Sequence, residues 1–114
     1  MNLPNAERAE IAEAKIRSYL LNPAHPDGKA KARFFAALGF TPEGWETLAT
    51  ALRSLAQRAP IVKRLESVHG TKYVVDGPLE TPAEPSPSVR TVWIVDAGQD
   101  APRLVTAYPR EQGD

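Results

Sequence analysis

The stretch from Asn22 to Phe35, NPAHPDGKAKARFF, sets His25 between two prolines and follows it with Lys29, Lys31 and Arg33. A histidine exchanges protons near neutral pH, while amines and guanidinium groups hold oxyanions. Gathered in so short a span, these residue types suit chemistry on an anionic group. Lys29 and Arg33 are four apart, so on a helix they share a face. Lys31 does not join them. Its i+3, i+4 and i+7 neighbours are Phe34, Phe35 and Leu38, the apolar stripe of the same helix. Two readings follow. In one, the lysine stem lies along that stripe and the ammonium escapes to water over the helix end. In the other, the cation stands at the rim of the core and reaches into a cleft, where free N–H groups and the helix dipole favour an anion. Asp27, placed to cap this helix, competes for the same N–H groups. His25 is likewise either a turn-bonding residue or a proton exchanger beside that cleft. His69, next to Gly70, reads as a turn residue.

A second cluster comes from VRTVWIVD (Val89 to Asp96) and PRLVTAYP (Pro102 to Pro109). Pairing these runs across a turn centred on Gly98-Gln99 sets Trp93 opposite Leu104 and Thr91 opposite Thr106. Val89 then faces Tyr108, and Arg90 faces Ala107. This register gathers Thr91, Thr106 and Tyr108 on one face with Arg90 beside them on the other, and a one-residue slip would undo it. Threonine pairs and a tyrosine at a strand end are also ordinary strand chemistry. The two clusters together are chemically sufficient for cutting RNA without a metal. The 2′-hydroxyl needs a base, the phosphorane needs cationic and hydroxyl donors, and the leaving oxygen needs an acid. His25, Lys31, Arg90, Thr106 and Tyr108 are therefore the candidate catalytic set. Lys29, Arg33, Thr91 and Arg103 are the candidate substrate-binding residues. The glycines show neither GxGxxG nor Walker spacing, there is no serine triad, and no cofactor is expected.

The elements that must position these side chains divide the chain in two. EAKIRSYLLNP carries Ile16, Tyr19 and Leu20 at helical spacing, and Asn22-Pro23 stops it. A second helix is predicted from about Gly28 to Leu38, with Asp27 as its cap and Gly39 as its stop. A third opens at Thr41-Pro42 and buries Trp45, Leu48, Leu52 and Leu55 before Ala59-Pro60 ends it. IVKRLESV and TKYVVDG then read as strands joined at His69-Gly70. TPAEPSPS, from Thr81 to Ser88, is a polar, proline-rich loop with no large apolar anchor, and two more strands follow it. The fold class expected is α+β: about three N-terminal helices packed on a roughly four-stranded antiparallel β-meander. Residues 1–11 form an arm or helix extension, 12–59 the helical half, 60–109 the sheet and 110–114 a disordered tail. The expected buried set is Leu20, Phe34, Phe35, Leu38, Trp45, Leu48, Leu52, Val92 and Ile94.

Composition sets the outer bounds. At 114 residues the chain suits one domain, and 42% hydrophobic with 25% charged residues is ordinary for a globular protein. Lys+Arg and Asp+Glu balance at 14 each, so any anion site must be local rather than the product of a global field. With no cysteine and two histidines, a metal site is not expected. No apolar run approaches the roughly 20 residues of a membrane span, and no secretory leader is visible. A cytoplasmic protein is the expectation.

LPNAERA, YLLNPAHPDGKAKARFFAALGFTPEGWETL and VRTVWIVDAGQDAPRLVTAYP together resemble a bacterial domain of unknown function. That domain occurs stand-alone and as the C-terminal effector domain of polymorphic toxins. The resemblance runs from Leu3 to Pro109. It implies a toxin fold similar to the barnase–EndoU–colicin–RelE ribonuclease superfamily, in which His, Lys, Arg, Thr and Tyr side chains around a sheet cleave RNA without metal. His25, Lys31, Arg90, Thr106 and Tyr108 are the matching positions here. RNA as substrate and a cognate antitoxin or immunity protein as partner are implied with it. The competing readings are a non-catalytic interaction module, with Trp93 and the proline loop as partner contacts, and a degenerate toxin of the same fold.

Overall fold

A computed structural model of the chain describes residues 1–82 and 86–110. The middle of the proline-rich loop (83–85) and residues 111–114 of the expected disordered tail (110–114) lie outside the described residues. Arg110, the first residue of that tail, is held by its N–H on the Ser88 carbonyl at 3.0 Å and its guanidinium on Asp76. Helices precede strands, and the fold is α+β. An extended N-terminal arm with one 3-10 turn, Ala6–Arg8, leads to α1 (Glu13–Lys15), which continues directly as a π-helical turn, Ile16–Leu20. Helices α2 (Lys29–Ala37) and α3 (Trp45–Arg58) follow. Strands β1 (Ile61–Ser67), β2 (Gly70–Pro78), β3 (Ser88–Asp96) and β4 (Arg103–Pro109) pair antiparallel in chain order as a four-stranded meander. Among the described residues, no helix is long and apolar enough to cross a membrane.

Each helix owes its position to an apolar stripe. On α3, Leu48, Leu52, Leu55 and Ala56 recur at helical spacing and are fully buried. This helix begins at Trp45, three residues after the expected start at Pro42. The Thr41 hydroxyl accepts the Gly44 N–H at 3.1 Å and the Pro42 carbonyl accepts the Trp45 N–H at 3.3 Å, so a closed turn precedes the first helical residue. On α2, Phe35 is fully buried and Phe34 and Leu38 are half-buried against the core. Gly39, at φ 97°, ends that segment in the left-handed conformation that glycine adopts without strain. The chain then returns Phe40 to the core.

One face of the sheet meets the helices. It presents Tyr73 and Val75 from β2, Val89, Thr91 and Trp93 from β3, and Leu104 and Ala107 from β4. Gly77 on this face lies so close to α3 that a Cβ there would stand 3.0 Å from the Ala59 Cβ. The expected core residues Val92 and Ile94 belong to the opposite face. Strand alternation lets only one set point inward, and Trp93 with its large apolar surface takes that side. Ile94 is nevertheless buried and Val92 half-buried.

The β3–β4 register corrects the expected pairing. Trp93 does face Leu104, but the register shifts between Val92 and Trp93, with Val105 as the extra residue on β4. Beyond this bulge Val92 faces Thr106, Thr91 faces Ala107 and Arg90 faces Tyr108. Thr91 points into the core with Trp93 by strand alternation, and the shift turns Thr106 and Tyr108 away from it. Arg90, Val92, Thr106 and Tyr108 now share the outer face.

The arm left undecided from sequence is extended apart from its 3-10 turn, and it buries Leu3, Ala6, Ala9 and Ile11. Glu10 donates its N–H to the Pro102 carbonyl at 2.8 Å and accepts from Leu104 N–H at 2.9 Å. That contact covers the start of the otherwise free β4 edge.

Phe35→Ala is expected to cost about 3–5 kcal/mol, because it empties a fully enclosed site in a small core. Phe34→Ala, at a half-buried position, should cost clearly less. Urea unfolding of both variants checks the difference; equal losses would mean that α2 is packed through the wrong face.

Candidate active site

The π-helical turn determines which side chains reach solvent. Leu21 N–H donates to the Ile16 carbonyl at 2.8 Å, five residues back. Ile16, Leu20 and Leu21 thereby all point into the core, and Tyr19 is left half-buried toward β4. Asn22 folds the chain back: its Oδ1 accepts the Ala24 N–H at 3.0 Å, and its carbonyl accepts the His25 N–H at 3.1 Å. The His25 carbonyl then accepts the Gly28 N–H at 3.1 Å, one residue before α2. Gly28 presses on the preceding helix. A Cβ on it would stand 2.5 Å from the Tyr19 carbonyl oxygen and 3.1 Å from the Tyr19 ring.

Tyr19 lies at the centre of the resulting cluster. Its Oη is 3.0 Å from Thr106 Oγ1 on β4. The His25 ring meets it edge-on with centroids 5.0 Å apart. The ammonium groups of Lys15 and Lys31 stand 5.3 Å and 5.4 Å from its ring centroid, within cation–π range. Lys31 Nζ also donates to the Asp27 carbonyl at 3.2 Å. Lys31 is thus turned toward the Tyr19 ring rather than released over the helix end. Lys15, Ser18, Tyr19, His25, Asp27 and Thr106 line an open cleft of about 730 Å³. A smaller hollow of about 360 Å³ lies between Ala30, Lys31, Tyr108 and Pro109. Lys31 borders both.

The electrostatics favour negative charge at this point. Partial burial raises the Tyr19 pKa. The hydrogen bond with Thr106, the hydrogen bonding and charge of Lys31, and the charge of Lys15 outweigh it, so the phenol titrates below its ordinary 10.0. His25 is held in one tautomeric sense: the Asp27 N–H points at its Nδ1 at 3.0 Å, so Nδ1 is an acceptor and the neutral ring carries its proton on Nε2. Asp27 does not cap α2. The cap position is Gly28, without a side-chain cap bond, and Asp27 is one of the residues that line the cleft.

The expected site residues divide into two groups. His25, Lys31 and Thr106 meet around Tyr19, and Tyr108 stands two residues beyond Thr106, about 7 Å along the strand on the same face. Arg90 faces Tyr108 but is bound to Asp76 through two contacts of 2.9 and 2.8 Å, with Arg110 on the same carboxylate at 2.9 Å. The hydrogen bonds to Asp76 raise its pKa most, and the Asp76 charge and Tyr108 add to this against the opposing effect of burial. Thr91 is fully buried; it donates to the Val75 carbonyl and accepts from Trp93 Nε1, both at 2.8 Å. Arg103 pairs with Asp96 through contacts of 2.7 and 3.0 Å. Lys29 and Arg33 stay on the exposed face of α2, outside the cleft lining. Sequence reasoning missed Tyr19, Lys15 and Gly28. The spacing of Lys15 and Tyr19, four apart on one helix, was the available signal. Among the described residues no group of three or more His, Asp or Glu side chains could hold a metal ion.

A helices-first α+β domain with a lysine-bordered, tyrosine-centred cleft at the edge of its sheet is the class defined by this geometry. The chain belongs to the family described as "Domain of unknown function (DUF6883)", whose model matches residues 2–111. No curated protein matches the sequence. Among solved structures, the fold is similar to that of a chain in the contact-dependent growth inhibition toxin–immunity protein complex from Klebsiella pneumoniae 342. The TM-score is 0.72 at 16% identity, over 88% of this chain and 98% of that one.

Gly28→Ala should push the α2 start away from Tyr19, because the added methyl meets a backbone oxygen that no side-chain rotation can move. A loss of about 1–3 kcal/mol is expected, the range for overpacking. The Tyr19 phenol should titrate closer to its ordinary value as Lys31 withdraws with α2. Thermal unfolding and phenolate absorbance check both, and an unshifted Tyr19 titration would show that Gly28 does not hold the site together.

Proposed function

We propose that this domain is an endoribonuclease-like toxin that cuts RNA phosphodiesters without a metal and is neutralised by a cognate immunity protein or antitoxin. The single observation that carries the reading is the meeting of His25, Lys31 and Thr106 around Tyr19, with Lys15 beside them. A phosphodiester is an anion whose cleavage needs cations on its non-bridging oxygens, hydroxyl donors and proton carriers within one hydrogen-bonded reach. Lys15 and Lys31 supply the cations, Thr106 supplies a hydroxyl, and Tyr19 and His25 supply groups that bear protons. Tyr108, across the Lys31 hollow, is placed to contact a neighbouring nucleotide. Arg90 is reassigned: its guanidinium is committed to Asp76, so it orders the strand ends and lends its charge at second hand. The likeness to a chain of a growth-inhibition toxin–immunity complex supports both the toxin and the partner parts of the reading. Action in the cytoplasm, where RNA is met, goes with it.

The interaction-module alternative loses its chief support, because Trp93 is fully buried with its indole N–H bonded to Thr91. It offers no surface to a partner.

Expression in a bacterium should arrest growth, and co-expression of the neighbouring gene should relieve the arrest. The purified chain should cut total RNA in the presence of a chelator. Lys31→Met should leave stability unchanged or raise it, since an apolar stem suits its half-buried place, while abolishing both effects. A Lys31→Met chain that still arrests growth, or cleavage that needs a divalent ion, would refute the mechanism.

A further inference from the structure

Cleavage through a 2′-hydroxyl needs one group to take that hydroxyl's proton and another to protonate the departing 5′-oxygen. Histidine is the usual carrier for both, and His25 stands in the cleft. Its geometry opposes both roles. The Asp27 N–H occupies Nδ1 at 3.0 Å, so Nε2 already bears the proton of the neutral ring. A base at Nε2 requires the other tautomer, and an imidazolium requires a second N–H on Nδ1. Either one sets N–H against N–H with the Asp27 amide.

Tyr19 is placed for the proton instead. Thr106 Oγ1 on β4 lies 3.0 Å from its Oη and can donate to a phenolate there. Lys15 from its own helix and Lys31 from α2 bring two ammonium groups within 5.4 Å of its ring centroid. The turn between them contributes His25, with its ring edge-on to Tyr19, and Asp27, an acidic residue that lines the same cleft. Two cations and a hydroxyl donor against one carboxylate favour the ionised phenol, in line with its lowered pKa.

We propose that Tyr19 is the proton acceptor for the attacking 2′-hydroxyl, Lys31 the proton donor to the leaving 5′-oxygen, and His25 a neutral N–H donor to the phosphate. This rests on the RNA-cleavage reading and adds the assignment of its proton carriers. The Tyr19 phenolate oxygen takes the 2′-hydroxyl proton while the 2′-oxygen's electron pair forms the new bond to phosphorus. The bond from phosphorus to the 5′-oxygen breaks, its electron pair stays on that oxygen, and the Lys31 ammonium protonates it. The products are a 2′,3′-cyclic phosphate and a 5′-hydroxyl. The proton on Tyr19 then passes to the Lys31 amine, which restores both groups.

The test is the rate of RNA cleavage by the full chain across about pH 6 to about pH 10, the interval that separates histidine from tyrosine titration. The wild type should quicken about tenfold per pH unit and level off below the ordinary tyrosine value, without a maximum near the histidine value. Tyr19→Phe, which keeps the ring, should lose at least about 100-fold and with it the rise. His25→Gln should be slower but keep the rise. A fluorinated tyrosine at position 19, with a more acidic phenol, should move the rise to lower pH. An unaltered profile in Tyr19→Phe, or a rise that vanishes in His25→Gln, overturns the assignment. A wild-type chain that cuts no RNA at any pH overturns the RNA reading, and this one with it.

Discussion

The hydrogen bond between Tyr19 Oη and Thr106 Oγ1 joins the helical half of the molecule to the last strand, and the cleft is arranged around it. Three departures from regular structure make that contact possible. The π-helical turn sends Ile16, Leu20 and Leu21 inward and turns Tyr19 toward β4. The bulge at Val105 moves Thr106 onto the outer face, where a regular ladder continued from Trp93–Leu104 would have placed it inward. Gly28 lets the start of α2 approach the Tyr19 backbone more closely than any side chain allows, which sets Lys31 against the ring. Each irregularity alone would be a local curiosity of the backbone. π-bulges and β-bulges both concentrate at functional sites because they re-aim single side chains, and here they aim two side chains at each other.

The basic residues divide by chemistry. Among the described residues every ion pair uses an arginine: Arg17, Arg58, Arg64, Arg90, Arg103 and Arg110 each meet a carboxylate. The planar guanidinium suits such two-point contacts, and Arg90–Asp76 and Arg103–Asp96 are of that kind. Lys15 and Lys31 instead face an aromatic ring and a backbone oxygen. Neither contact neutralises a charge. The structure therefore keeps two ammonium groups with uncancelled charge at one tyrosine ring while six of its guanidinium groups meet carboxylates.

Much of this was legible in the sequence, and the parts that were not share one cause. The order of elements, the burial of Phe35, Leu48 and Leu52 and the Trp93–Leu104 pair all follow from periodicity and turn chemistry. What failed depended on counting residues through a point where the count changes. A regular ladder put Thr91 beside Thr106; one extra residue on β4 turned Thr106 to the outer face, left Thr91 in the core with Trp93 and brought Arg90 opposite Tyr108. A regular helix made Tyr19 one more member of an apolar stripe with Ile16 and Leu20. The five-residue hydrogen bond widened that turn and released the phenol. Neither a bulge nor a π-turn has a fixed residue signature. Asp27 misled differently: a carboxylate before a helix is a cap by frequency, but here its own N–H is spent on His25 and the cap position passes to Gly28.

A formal net charge of zero over the whole chain is compatible with a site for anions once the distances are considered. At physiological salt, fields between exposed charges fade over about 8 Å. Some of the carboxylates that balance the total are engaged elsewhere, Asp76 with Arg90 and Arg110 and Asp96 with Arg103. Lys15 and Lys31 lie well inside the screening distance of the Tyr19 ring, and Asp27 is the acidic residue that lines the cleft with Lys15. An anion entering there meets two nearby cations rather than the average of the molecule. Net charge gives such a chain no long-range attraction, so an anion would have to be captured by contact. That requirement is met by a cleft with its donors already fixed: His25 by the Asp27 amide, Thr106 by Tyr19, and Lys31 by the backbone oxygen one turn before it.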